Sequence, residues 1–505
     1  AGVRDANSFE SSGGRIVLLA KPSENLRVRT SVTYEDSDLA SEWKVTDVPE
    51  RLLNTNNFAL EPQQDSALVA SARVDYTASF GELSAITGYW DRERRDRGLE
   101  PNVTFAFLPV TKDFQMNDRG FSQELRFVSE PIGKARVTMA AYYKSSDQEF
   151  DALEESAVLS FPGSLLIEKE EYSGKQYSVS SELSYAWTDA LTTTVGARYF
   201  KENIDTYQLW TEPEIVFTIP RAEFHTELPI EEVLPKVLVE YRATPDLLFY
   251  GGATRGARNG NLIYTSILVI SDSYGLALPR TSDADSAWSY EIGTKTSWLD
   301  NRLTANVALY YIDWQDLQMT ASTPPYSVGG GVLSFVYSAN VGSARSVGGE
   351  IDVAWRPSQY FNVNLSAGYT DAKLGNEVLI DAVSGIRVPK DAMIPFTPEY
   401  KGAVTIAGRY PLGTALTATT NIGVQHIGPQ ASRLRQIPDD PVQPYEKYPA
   451  YTIVDVRAGV EWNDWTVTAF MRNATDKIVG VTGAAGFNYR VNTPRTIGLM
   501  VSTSF

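Results

Sequence analysis

Along most of the chain, apolar and polar residues alternate with a period of two, over segments of about 9 to 14 residues, the length a tilted strand needs to cross a bilayer. In the final segment Ile497, Leu499, Val501, Thr503 and Phe505 share one face, while Thr496, Gly498, Met500, Ser502 and Ser504 share the other. Between Tyr451 and Trp462, the residues Thr452, Val454, Val456, Ala458, Val460 and Trp462 lie on one side and Asp455, Arg457 and Glu461 on the other. Two architectures produce this pattern. In a membrane barrel the apolar face meets lipid and the charged face a hydrated lumen; in a soluble sandwich the apolar faces meet each other.

The connections favour the barrel. Short turns carry Pro, Gly, Asp or Asn, as in Lys21-Pro22-Ser23-Glu24-Asn25, Pro131-Ile132-Gly133-Lys134, Leu299-Asp300-Asn301, Pro411-Leu412-Gly413 and Asn463-Asp464. They alternate with long polar stretches read as loops, at 39–64, 97–117, 153–171, 203–230, 259–285, 320–334, 376–395, 428–447 and 480–489. Short turns at one end and long loops at the other describe a transmembrane, antiparallel, up-and-down β-barrel, all-β in class. The register gives about 19 strands, from near Gly14–Ala20 to Phe505. Single-chain bacterial barrels have even strand numbers, so a barrel of about 22 would draw about three strands from upstream. On this reading residues 1–13 are a loop remnant and 14–505 are the barrel domain.

Composition narrows the chemistry. There is no cysteine, and the two histidines, His225 and His426, stand far apart, which removes disulfides and a Cys/His zinc site. A net charge of -17 leaves little to neutralise phosphates, so a nucleic-acid partner is not expected. No window reaches the roughly 18 apolar residues of a membrane helix. The 27 tyrosines exceed both Phe and Trp, as interfacial girdles require. Candidate girdle residues near strand ends are Tyr89, Trp90, Tyr142, Tyr143, Tyr310, Tyr311, Trp462 and Trp465. Arg255 and Arg258 are placed at the mouth, where guanidinium groups either hold an anionic ligand or bridge acidic neighbours. With Tyr264, Trp314 and Gln318 they form the candidate substrate-binding set. The mixed charges from Asp91 to Arg97 read as self-compensating on an exposed strand extension. Spacing leaves a Ser/His/Asp arrangement around His225 or His426 open, but two histidines, one in a long loop and one near a strand end, disfavour it, so no catalytic residue, metal site or cofactor is assigned.

Specific segments resemble the TonB-dependent receptor family, in that family's own order. Ser84-Ala85-Ile86-Thr87-Gly88-Tyr89 is followed by Phe121-Ser122-Gln123-Glu124-Leu125-Arg126-Phe127, similar to its S-x-T-G-Y and S-Q-E-L-R strands. Leu234-Pro235-Lys236, then Tyr250 and Arg255-Gly256-Ala257-Arg258-Asn259-Gly260, resemble its P-K and G-F-R-x-G stretch, with Ala257 where an aromatic is usual and Asn259 where proline is. Tyr290-Glu291-Ile292-Gly293-Thr294-Lys295 with Asn301-Arg302-Leu303, Asn340-Val341-Gly342 to Glu350, and Asn473-Ala474-Thr475-Asp476-Lys477 continue the series. Phe505 matches the aromatic terminus that the resemblance implies is read by the barrel-assembly machinery.

The resemblance spans about residues 14 to 505 but includes neither the family's plug nor its short TonB-binding box. It implies a bacterial outer-membrane location among lipids and lipopolysaccharide, and import of a scarce nutrient, a ferric siderophore first. It also implies energy from TonB and its inner-membrane complex, acting through a plug outside this chain. The alternative is a passive porin or structural barrel. Enzymatic activity is not expected.

Overall fold

The computed structural model describes residues 8–40, 44–45, 62–102, 108–156, 166–211, 221–273, 278–323, 326–328, 331–333, 336–381, 385–439, 445–482 and 489–503. Phe505 lies outside them. Nineteen strands form one antiparallel sheet. They are β1 (Phe9–Ser23), β2 (Leu26–Leu39), β3 (Gln63–Ala78), β4 (Gly81–Asn102), β5 (Leu108–Ser129), β6 (Ala135–Ser156), β7 (Leu166–Ala186), β8 (Leu191–Thr211), β9 (Ala222–Thr244) and β10 (Leu247–Arg258). They continue as β11 (Asp285–Trp298), β12 (Leu303–Gln315), β13 (Ala344–Ser358), β14 (Phe361–Leu374), β15 (Tyr400–Leu412), β16 (Leu416–Ile427), β17 (Tyr451–Trp462), β18 (Trp465–Arg472) and β19 (Thr496–Thr503). Each strand pairs with its sequence neighbour, from β1–β2 through β18–β19, which is the up-and-down barrel the periodicity predicts. The first strand starts at Phe9, ahead of the Gly14 read from sequence.

Short turns at one end are made by residues that tolerate a left-handed backbone. Between β11 and β12, Leu299, Asp300 and Asn301 run at φ 57°, 53° and 62°, conformations in which Asp and Asn are enriched and leucine is rare. Arg302 closes the turn, its N–H and its Nε both donating to the Leu299 carbonyl.

The strands differ greatly in length. Crossing a bilayer takes about 9 to 11 residues; β4 to β9 have 21 to 23. The half of each on the long-loop side therefore projects beyond the membrane. Stretches 97–117, 153–171 and 203–230, read from sequence as loops, are accordingly mostly strand. Their polar composition marks water on both faces of a continuing ladder rather than its end. Charge pairing holds the tips together: Arg95 Nη2 lies 2.5 Å and Arg97 Nε 3.4 Å from Asp113 Oδ2 on the neighbouring strand, and Arg92 pairs with Asp65. The mixed charges of residues 91–97 are thus compensated, as their sequence suggests.

The wall has two faces of opposite character. Outward lie exposed apolar residues such as Val179, Leu183, Val237, Ile292, Leu309 and Ile351. Inward lie polar contacts: Tyr250 donates to Glu291 at 2.6 Å, Lys236 to Glu182 at 3.1 Å, and the Tyr310 and Thr370 hydroxyls meet at 2.7 Å.

Strand alternation corrects the girdle assignment, because adjacent residues cannot face the same side. Each doublet splits. Tyr89, Tyr143 and Tyr311 face outward; Trp90, Tyr142 and Tyr310 face the lumen, with Trp90 Nε1 donating to Asp118. Trp462 and Trp465 pair across the β17–β18 hairpin, both exposed. The outer ring follows a rule. Tyr34, Tyr89, Tyr143, Tyr199, Tyr311 and Tyr369 each stand eight positions after the first residue of their strand, namely Leu26, Gly81, Ala135, Leu191, Leu303 and Phe361. At the turn end sit Tyr76, Trp187, Trp298, Trp355, Trp462 and Trp465. Eight residues rise about 26 Å along a strand, or about 20 Å along a barrel axis at the usual tilt, and with the rings at either edge this matches an apolar band of about 25 Å.

Among the described residues, two apolar clusters gather at the long-loop end. One joins Leu317, Val341, Ala344, Leu374, Val388, Ala392 and Leu434; another joins Ile263, Leu268, Ala321 and Tyr337. Both are built largely from the long connections after β10, β12, β14 and β16.

Candidate functional site

At the long-loop end, three consecutive strands deliver polar side chains to one inward-facing patch. Register places Arg258, the last residue of β10, opposite Asp285, the first of β11, and Trp314 opposite Ala287 on the same face. The Arg258 Nε donates to both Asp285 oxygens at 2.8 and 2.9 Å, Nη2 donates to the same carboxylate and to the Gln318 carbonyl at 3.0 Å, and the guanidinium stands 5.2 Å from the Trp314 ring centre. A bidentate, stacked arrangement of this kind suits arginine and not lysine.

Gln318 ties the patch to two loops. Its backbone N–H donates to Asp285 at 2.9 Å, and its side chain donates to the Asn259 carbonyl at 2.8 Å. Its amide oxygen accepts from Asn261 at 2.6 Å and from Ser282 at 3.3 Å. Asn340 then clamps the next connection, donating to the carbonyls of Asp316 and Asp283 and accepting from the Asp283 N–H at 2.7 Å. The described parts of the connections 259–284 and 316–343 are thereby tied together.

The sequence-derived set is thus divided. Arg258, Trp314 and Gln318 come together. Arg255, an odd number of residues from Arg258, takes the opposite face of β10; its guanidinium binds Glu232 at 2.5 Å and Ser286 at 3.3 Å and so bridges an acidic neighbour. Tyr264 begins a different patch, leading into a short helix, α1 (Thr265–Ser273). Asp285, Asn261, Ser282 and Asn340 were not singled out from sequence. Asn340 opens the Asn-Val-Gly segment and so was visible as a motif. Nothing local marks Asp285, whose role depends on strand register.

The second patch lies on the inner face of the projecting ends of β7 to β9. Glu170 is 2% exposed and accepts from Tyr172 at 2.6 Å and Gln208 at 2.8 Å. Burial pushes its carboxyl up, and the two donated hydrogen bonds oppose that rise. Burial, the charge on Glu170 and its hydrogen bond push the Tyr172 phenol up as well. Ile263 and Leu268, from the same connection as α1, are buried over this region with Phe224 against them.

Both histidines sit away from these patches. His225 packs on Tyr207 on the outer face of the projecting wall, and His426 stacks on Tyr400 with Nδ1 2.8 Å from the Thr452 hydroxyl. Among the described residues no group of three or more His, Cys, Asp or Glu is arranged to hold a metal ion.

The fold is shared with solved outer-membrane receptors. The ferric yersiniabactin uptake receptor FyuA of Yersinia pestis aligns with a TM-score of 0.77 at 14% identity, over 98% of this chain and 71% of that one. The siderophore receptor PiuA of Acinetobacter baumannii gives 0.71 at 13% identity, over 99% and 75%. The ferric-catecholate import receptor Fiu of E. coli K12, in its closed form, gives 0.72 at 14%, over 99% and 75%. A family model for the TonB dependent receptor-like beta-barrel matches residues 13–474. This is a family of outer-membrane transport receptors and not of enzymes, and the chain belongs to it as a TonB-dependent receptor β-barrel.

Proposed function

We propose that this barrel imports a scarce nutrient, a ferric siderophore before other cargo, with energy drawn from TonB through a plug outside residues 1–505. The observation that carries the reading is the mouth itself. The loops are packed around two apolar cores and an Arg258–Asp285–Gln318 network whose Asp285 and Gln318 are buried, which amounts to a pre-ordered recognition surface. A passive pore needs only a polar constriction. Pre-ordering lowers the entropy lost when a ligand docks. Ferric chelates as cargo are supported by the named roles of the three receptors that share the fold. The girdles support contact with outer-membrane lipid and lipopolysaccharide, and the barrel architecture supports delivery by the barrel-assembly machinery.

The test is uptake of radiolabelled ferric siderophores by cells carrying the full-length protein, with and without TonB. Uptake that requires TonB and saturates with chelate concentration is expected. Linear, TonB-independent entry of small solutes would establish the passive pore instead, and saturable TonB-dependent entry of a different nutrient would retain the importer while replacing the cargo.

A further inference from the structure

We propose that the segment 262–273, with α1, is a proton-sensitive latch whose docking onto the inner face of β7–β9 is controlled by Glu170, the Asn259 and Asn261 contacts to Gln318 holding its near end. The inference does not depend on the identity of the cargo.

The docking surface is a row of inward residues on strands that project past the membrane. Register sets Glu170 opposite Gln208 and Gln208 opposite Phe224, with Trp210 one pair further out and Thr206 one pair nearer the membrane. Gln208 and Trp210 are both 1% exposed, although this part of the wall stands in the aqueous mouth. What removes them from water is the loop. Ile263 and Leu268 are buried there with Phe224 and Ile267 packed around them, and the Ile263 carbonyl lies 3.5 Å from the Gln208 amide. Lifting the loop would return Glu170 to solvent.

Docking therefore encloses a carboxyl whose two oxygens already take a phenol and an amide, and neither donor is a cation. Among the described residues, the titratable groups facing it are Glu168 and Tyr172 on β7 and Tyr264 on the loop, and none carries positive charge. From β6 the facing side chains are Phe150 and Ala152; from β8 they are Thr206, Gln208 and Trp210; β9 adds Phe224. The nearest cation described on the loop is Arg280, which stands 4.6 Å over the far partner Phe224. Lys169 faces the other side and pairs with Glu171.

An enclosed carboxyl without a cation is stabilised by taking up a proton. The docked state then holds more protons than the undocked one, so docking is favoured as pH falls and is lost as pH rises through the docked-state value. Each unit of difference between the two states is worth about tenfold in the docking equilibrium. Once the loop lifts, Trp210, Tyr172 and Gln208 are uncovered at the mouth, so the latch and a ligand contact compete for one surface.

Residues 1–505 contain no cysteine, so a nitroxide on Asp272→Cys, at an exposed position of α1, reports docking in the full-length protein without background labelling from the barrel, any cysteine outside it being replaced by serine. The mobile fraction of the spin label is expected to rise with pH above the ordinary carboxylate range, by about tenfold for each unit by which docking raises the Glu170 carboxyl. Glu170→Gln should hold the loop docked and flatten the profile. Tyr172→Phe removes a donor to the charged form, so it should move the midpoint to higher pH. A flat profile in the parent, or an unchanged midpoint in both variants, would overturn the proposal. Should Glu170→Gln fail to assemble, the Tyr172→Phe shift decides alone.

Discussion

The junction at Asp285 gives the most exacting test of the mouth. Its side chain is 1% exposed and accepts from Arg258 Nε, from Arg258 Nη2 and from the Gln318 N–H, whereas the Arg258 side chain remains 50% exposed. Breaking a fully buried ion pair costs about 3–5 kcal/mol, chiefly because the surviving charge is stranded. Here Asp285→Ala leaves a guanidinium that water can reach, which removes much of that penalty. What persists is the unmet Gln318 N–H, costing about 1–3 kcal/mol in a buried setting, and the lost charge-assisted bonds. A total of about 2–3 kcal/mol follows, or about 30- to 150-fold more frequent opening of the junction. Asp285→Asn, which keeps one acceptor, should cost about half as much. Because the β10–β11 and β11–β12 ladders remain intact, the loss should be local. Hydrogen exchange should quicken in peptides covering 259–264 and 317–322 and stay unchanged over 303–312. Uniform loss of protection across β10–β12, or none anywhere, would refute the assignment of Asp285 as the tie between loops.

Two further outcomes test the wall. Val307 lies outward, midway between Leu303 at the turn end and the Tyr311 ring, so Val307→Arg should destabilise the folded barrel in vesicles by about 2–4 kcal/mol, while Ala308→Arg, facing the lumen beside Glu350, should be tolerated; equal effects in urea titrations would contradict the facing. A Cβ on Gly293 would come within 2.6 Å of the Tyr250 ring, so Gly293→Val should cost about 1–3 kcal/mol through overpacking, and Tyr250→Ala in the same chain should restore most of it, a double-mutant cycle with no coupling being the contrary result.

Why the wall was legible and the mouth was not follows from the range of the interactions involved. A strand's outward face is set by its own alternation, so the 452–462 pattern of Val454, Val456 and Val460 against Asp455, Arg457 and Glu461 could be read from one segment. The same rule, applied strictly, would have divided Tyr89 from Trp90 and Tyr310 from Tyr311. The eight-residue offset of Tyr34, Tyr199 and Tyr369 was equally present in the sequence, and it needed only each strand's first residue as origin. Projection of β4 to β9 is hidden in the sequence because a polar stretch also marks the end of a strand. In water on both faces a polar ladder such as Arg95–Gln115 remains a ladder.

The mouth is different in kind. Arg258 and Asp285 are 27 positions apart, Asn261 and Gln318 57, and Leu317 meets Leu434 across the ends of several strands. Loop residues make such contacts only because the meander brings the ends of β10, β12, β14 and β16 to one rim, and no local period encodes that. Arg258 was found because its motif was recognisable, yet its partner was not, and Arg255 from the same motif turned away by a single parity. The wall is specified locally and tolerates drift on each face. The mouth is specified by pairs distant in sequence, each sensitive to a single substitution, and the part of the receptor that meets its cargo is therefore where small sequence changes alter behaviour most.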